Sequence, residues 1–249
     1  MRLVFVSALL VFSLSTAASG QTPTREQKLR KIDDLNSQIN GLEAEILLPA
    51  AEDFERAGKE GFEVFRLMPR ERYDRKRAVH GGAYYSFTNR SHDYQKIAQI
   101  SLEDDYLSVG FAGADYGFFS DLGNVPLAEV STDTGGIEFL LNYKPPTSES
   151  AARAEQKKSH NYETENATFA RRVPVSLDFT FALRAISFDR ADVLVAFRIH
   201  RRDKDGSLIV FWKPLKNFEV PMLVRDRNAS TGSADFACAG DGRNRAAED

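Results

Sequence analysis

The chain of 249 residues carries one cysteine, one tryptophan and only four histidines. A lone Cys238 excludes an intramolecular disulfide and any cysteine-based metal site, and its place in a polar C-terminal stretch argues against a catalytic thiol. His80, His92, His160 and His200 are too widely spaced to form a metal-ligand pair on one helix. H-E-x-x-H, G-x-S-x-G, the P-loop and G-x-G-x-x-G are all missing, so the common sequence-readable signatures for metallohydrolases, serine hydrolases and nucleotide binding are absent. No cofactor or metal is therefore expected. A net charge of −3 and a pI near 5.9 give no electrostatic pull toward nucleic acid. Arg202–Gly206 (RDKDG) has a superficial likeness to a calcium loop. With Gly206 at the sixth position, however, Arg201 and Trp212 would stand where acidic ligands are needed, so this segment reads as a hairpin turn.

What is present begins with an apolar run from Leu3 to about Leu14, after one arginine and before the small residues Thr16, Ala17, Ala18, Ser19 and Gly20. That is the pattern of a secretory signal peptide cut after Gly20, and the run is too short for a membrane span. No membrane span is expected after cleavage. An exported chain without disulfides suits a bacterial periplasm or the cell exterior, so a secreted or periplasmic location is expected.

Residues 21–61 form an amphipathic helical segment. Ile32, Leu35, Ile39, Leu42 and Ile46 recur at spacings of three and four, with polar side chains between them, until Pro49 interrupts. Such a stripe either packs on its own domain or joins two copies as a short coiled coil. From Phe62 the period falls to two, as in LSVGF, IEFLLNY and VSLDFTFAL, with Leu177, Phe179, Phe181 and Leu183 on one face of the last. Eight or nine such runs, without βαβ alternation, predict a mainly β domain over 62–224: an antiparallel sandwich or a barrel-like sheet, with α+β as the alternative. A polar stretch at 144–173 reads as a long loop with room for a turn or two of helix, and 225–249 as a disordered tail.

Candidate functional residues cluster between His80 and Pro126. GGAYYSFTNRSHDY and GFAGADYGFF place Tyr84, Tyr85, Tyr94 and Tyr116 near His80, His92, Asp93, Asp115 and Asp121, with glycines interrupting an apolar run. Tyrosine rings with acidic neighbours fit a carbohydrate or cell-envelope ligand, and Tyr84, Tyr85, His92, Asp93, Asp115 and Tyr116 are the expected binding residues. A basic run from Arg70 to Arg77 reads as a solvated connector.

The expectation is an exported, non-catalytic β-rich domain that binds a ligand or an envelope component. Two alternatives stand beside it. One is a hydrolase-type enzyme using carboxylates and histidine from the 80–121 region, since glycoside hydrolysis needs only two placed carboxylates. The other is an assembly protein that oligomerises through the helical stripe. The export reading predicts that protein recovered from the exporting compartment begins at Gln21. N-terminal sequencing that still finds Met1 would overturn it.

Overall fold

The computed structural model describes residues 22–73, 82–93, 97–164 and 168–224. The signal segment 1–20, most of the basic run, His80, Tyr94, Cys238 and the tail 225–249 lie outside the described residues. In chain order the elements are α1 (Arg25–Leu47), α2 (Ala51–Lys59), β1 (Glu63–Leu67), α3 (Arg70–Tyr73), β2 (Tyr84–Tyr85), β3 (Ile100–Glu103), β4 (Tyr106–Ser108) and β5 (Tyr116–Asp121). They continue as α4 (Glu138–Asn142), α5 (Glu149–Lys158), β6 (Tyr162–Glu163), β7 (Thr168–Phe169), β8 (Arg172–Pro174), β9 (Thr180–Ser187), β10 (Ala191–Arg202) and β11 (Leu208–Asn217). The chain divides into two units after Ala44.

In the first unit, helix α1 starts on a capping box written into the sequence TREQ. Gln27 Oε1 accepts from the Thr24 N–H at 2.8 Å, while Thr24 Oγ1 accepts from the Gln27 N–H at 3.3 Å. None of the described helices is long and apolar enough to cross a membrane.

The second unit is built on a five-stranded antiparallel sheet in the order β1-β11-β10-β9-β5, with a four-stranded antiparallel sheet β2-β3-β4-β8 beside it. Neither closes into a barrel. Alternating residues divide the large sheet between two cores. Phe181, Leu183, Val193, Val195, Phe197, Val210 and Trp212 pack toward Tyr85, Ile100, Leu102 and Leu107 of the small sheet. Ala182, Ile186, Leu194, Ala196, Ile209 and Phe211 pack on the opposite side with Ala57 of α2, Leu140 of α4, Ala152 of α5 and Phe169 of β7. The domain is thus a β-sandwich with helices covering the outer face of its larger sheet. Covering both faces explains why all eight residues of β9 are buried.

Two-sided burial makes the charge on β9 conspicuous. Arg184 is 2% exposed and lies on the helical side. Its Nε and Nη2 donate to Asp192 Oδ1 and Oδ2 at 2.9 and 2.8 Å. Its Nη1 donates to the carbonyls of Leu140 at 2.5 Å and Tyr143 at 2.7 Å, and its guanidinium lies 3.7 Å from the Phe218 ring centre. The carbonyls at the end of α4 have no helical partner, so the guanidinium both neutralises Asp192 and caps a helix.

Several local expectations change. IEFLLNY is the helix α4, not a strand: the inward residues are Ile137 and Leu140, three apart. Leu177 is half exposed and Asp178 takes a left-handed φ of 62°, so the strand begins only at Thr180. The 144–173 stretch carries the ten-residue helix α5 and the short strands β6 and β7. The Asp203–Gly206 turn joins β10 to β11 as a hairpin, with Gly206 N–H donating to Asp203 O at 2.9 Å and a φ of 87° that glycine adopts freely. Gly117 in β5 serves close packing, since a Cβ there would run into the Arg184 carbonyl and come within 2.8 Å of Val109.

Removing one member of a buried, bonded ion pair leaves the other charged and unpaired, which costs about 3–5 kcal/mol. Asp192→Ala is therefore expected to lower the melting temperature by roughly 10 °C in a domain of this size. A drop of less than about 3 °C, followed by circular dichroism, would show that the pair does not hold the sheet to α4.

Candidate functional site

A cleft lies at the end of the sandwich where β1 stops covering β11. β1 pairs only with Leu208–Trp212, so the next residues of β11 form an exposed edge. Pro214 sits there opposite Val195, beside a register shift in β10, where its missing N–H removes no ladder bond to β1. The cleft holds about 440 Å³, within the range of small-ligand sites.

One wall belongs to the large sheet: Val193 and Val195 of β10, Trp212, Pro214 and Asn217 of β11, and Phe218 just beyond. The other is the turn after β2, which contributes Phe87, Thr88 and Arg90. That turn is held from beneath by Gln99, which is fully buried. Gln99 Oε1 accepts from the Thr88 N–H at 2.9 Å, and its Nε2 donates to Thr88 Oγ1 at 2.8 Å. Ser86 Oγ accepts from the Asn89 N–H at 3.1 Å, and Arg90 closes the turn with a φ of 51°. Phe87 meets Trp212 edge to face at 5.0 Å, so the floor is aromatic.

Two guanidinium groups frame the opening. Arg90 Nη2 pairs with Glu63 Oε1 at 2.8 Å, and Arg190, from the β9–β10 turn, pairs with Asp115 Oδ2 at 2.9 Å. The lining is mixed: aromatic and aliphatic side chains together with Thr88, Asp192, Asn217 and two arginines, each held in an ion pair.

The residues expected from the sequence are distributed differently. Tyr84, Tyr85 and Tyr116 are 8%, 5% and 1% exposed, so their rings present no face to a sugar. Tyr85 backs the cleft: it stacks on Phe65 at 3.8 Å and lies 5.5 Å from Phe87. Burial holds its phenol far above the ordinary range, with Glu63 adding to that effect. The Trp212 Nε1–H approaches this phenol without reaching full hydrogen-bond geometry. Tyr116 lies in the other core and donates to Tyr143 Oη at 2.7 Å, which donates in turn to Glu155 at 3.0 Å.

His92 packs against Tyr85 at 5.2 Å and binds the Arg66 carbonyl on β1 through Nε2 at 2.6 Å. A carbonyl only accepts, so Nε2 carries the proton. Asp93 is half buried on the following residue. Asp115 stands at the start of β5, the opposite edge of the large sheet from β1, so His92 and Asp115 are not brought together. Asp115 accepts from the Phe188 N–H at 3.1 Å as well as pairing with Arg190. Burial pushes its carboxyl up to about 6, against the opposing pull of Arg190. Asp121 is exposed and caps its own turn through the Gly123 N–H at 2.8 Å. Among the described residues no three His, Cys, Asp or Glu side chains converge as metal ligands. A smaller hollow of about 250 Å³ is lined by Arg56, Arg198 and His200; Arg56 donates to His200 at 3.0 Å, and Arg198 to Val125 O at 2.9 Å and Asn124 at 2.7 Å.

Phe87, Arg90, Arg190, Trp212, Asn217 and Phe218 were therefore not legible as a site. The nearest signal was the lone tryptophan beside a proline in a strand. His92 also carries a pH signature. Burial lowers its pKa below the ordinary 6.5, so the folded chain holds it neutral while the unfolded chain protonates first. Its contribution is complete above about pH 6.5 and is lost as the pH falls below that. Asp115 acts in the opposite sense, with its raised carboxyl adding stability as pH falls from about 6 toward 4. His92→Gln should melt below the wild type at pH 7.5, with the gap narrowing toward pH 5. A gap that stays constant across that range would contradict a buried neutral His92.

Comparison of the chain with protein-family models, with curated protein sequences and with solved structures gave no match.

Proposed function

We propose that this protein is an exported binding domain whose end-of-sandwich cleft takes up a small amphiphile, an apolar or aromatic body bearing an anionic group such as a carboxylate. The export part of this reading rests on the apolar run and small residues of the first 20 positions. The binding part rests on one observation: an aromatic cleft of about 440 Å³ that carries two arginines at its margin. An arginine beside an apolar wall can grip an anionic group through charge-assisted hydrogen bonds while the wall receives the apolar portion. A carbohydrate, by contrast, would need open aromatic faces, and the tyrosines that prompted that reading are buried. An envelope component with an acidic, apolar character fits the same chemistry.

The cleft contains its own reporter, because Trp212 is the only tryptophan in the chain and lines the wall. Titration with a panel of aromatic and aliphatic carboxylates is expected to change Trp212 fluorescence saturably, while the corresponding neutral amides bind more weakly. Arg90→Ala removes only a surface ion pair and should leave folding intact, yet weaken carboxylate binding by about tenfold. If no carboxylate perturbs Trp212 at millimolar concentration, or if Arg90→Ala affects acids and amides alike, this assignment is wrong.

A further inference from the structure

The apolar stripe of α1 remains uncovered. Ile32, Leu35, Ile39, Leu42 and Ile46 are between 40% and 58% exposed, on a helix that is continuous from Arg25 to Leu47. A single exposed leucine needs no explanation, but five in one helical row do. Their order carries more information than their hydrophobicity. Placed on a heptad, Ile32, Ile39 and Ile46 occupy every a position of the row, and Leu35 and Leu42 both d positions between them. β-branched residues at a with leucine at d match the side-chain geometry of a parallel two-stranded coiled coil, where each knob enters a hole on the facing helix. The flanking positions permit that pairing. In a parallel pair the exposed Lys31 faces Asn36, so no like charges are set opposite one another there. The outer positions, Asp33, Asp34, Ser37, Asn40, Gly41 and Ala44, are polar or small.

We propose that α1 is a dimerisation element and that its occupant is the same helix of a second copy, in parallel and in register, with Ile32 against Ile32 and Leu35 against Leu35. The seam spans about two heptads, bounded by Lys28 at the preceding d position and Pro49 at the following one, so the dimer is reversible rather than obligate. This inference is independent of the cleft, which is formed entirely by residues of the second unit.

Sedimentation of the purified protein from about 5 to 500 µM should show the mass rising from one chain toward two. Leu35→Glu should weaken the association by at least about tenfold without moving the melting temperature, because Leu35 is exposed in the single chain. In a Cys238→Ser background, Ile32→Cys should form an intermolecular disulfide under mild oxidation, and Asp33→Cys, pointing outward, should not. A monomer at every concentration, or an unchanged association of Leu35→Glu, overturns the proposal. Association without an Ile32→Cys crosslink overturns the parallel register.

Discussion

The domain depends on a charged contact inside an otherwise apolar layer. A sheet covered on both faces admits almost no polar side chains, and β9 is buried from end to end. Arg184 is tolerated there because each direction of its guanidinium is answered: two bonds to Asp192, two to the carbonyls that end α4, and a face against Phe218. The side chain fastens three separate stretches of chain to one point. It also supplies α4 with the donors that a five-residue helix lacks at its end.

The cleft follows from the way that sheet is finished. β1 is short and leaves the second half of β11 uncovered, and Pro214 in that half fits because no neighbouring strand asks for its N–H. Beyond β11 the chain runs back past the β9–β10 turn, where Asp189 Oδ1 accepts from the Leu223 N–H at 2.9 Å. From the small sheet, the turn after β2 reaches across, shaped by the buried amide of Gln99. An edge left open by a short strand, closed by two turns, produces a concave aromatic wall with arginines at its margin.

Much of the fold was legible because it rests on periodicity. Alternation in FEVFRL and DVLVAFRIH marks residues that share a face, and those residues do share a core; in LSVGF Leu107 and Val109 do so, while Phe111 lies past the end of β4 and in neither core. IEFLLNY shows where that signal ends: over seven residues an alternating run and an i, i+3 pair are indistinguishable, and the helix that forms gives its Leu140 carbonyl to Arg184, far along the chain. The binding residues were hidden for a related reason. Tyr85 and Tyr116 have the chemistry of a ligand surface, but they lie in different cores on opposite sides of the sheet. Arg90 and Arg190, separated by a hundred residues, look like ordinary surface cations until the sandwich brings their turns to one cleft.

The amino-acid order by itself determined the helical stripe of α1 with its capping box, the antiparallel β character of the domain and the hairpin at Gly206, because each depends on interactions within a few residues. Tertiary structure alone decided which face of each strand met which layer, that α4 would be a helix, and that β2 would give its two tyrosines to the core and the turn after it to the cleft. Those outcomes depend on contacts between residues far apart in the chain, where local preference is weak and burial of both faces of one sheet dominates.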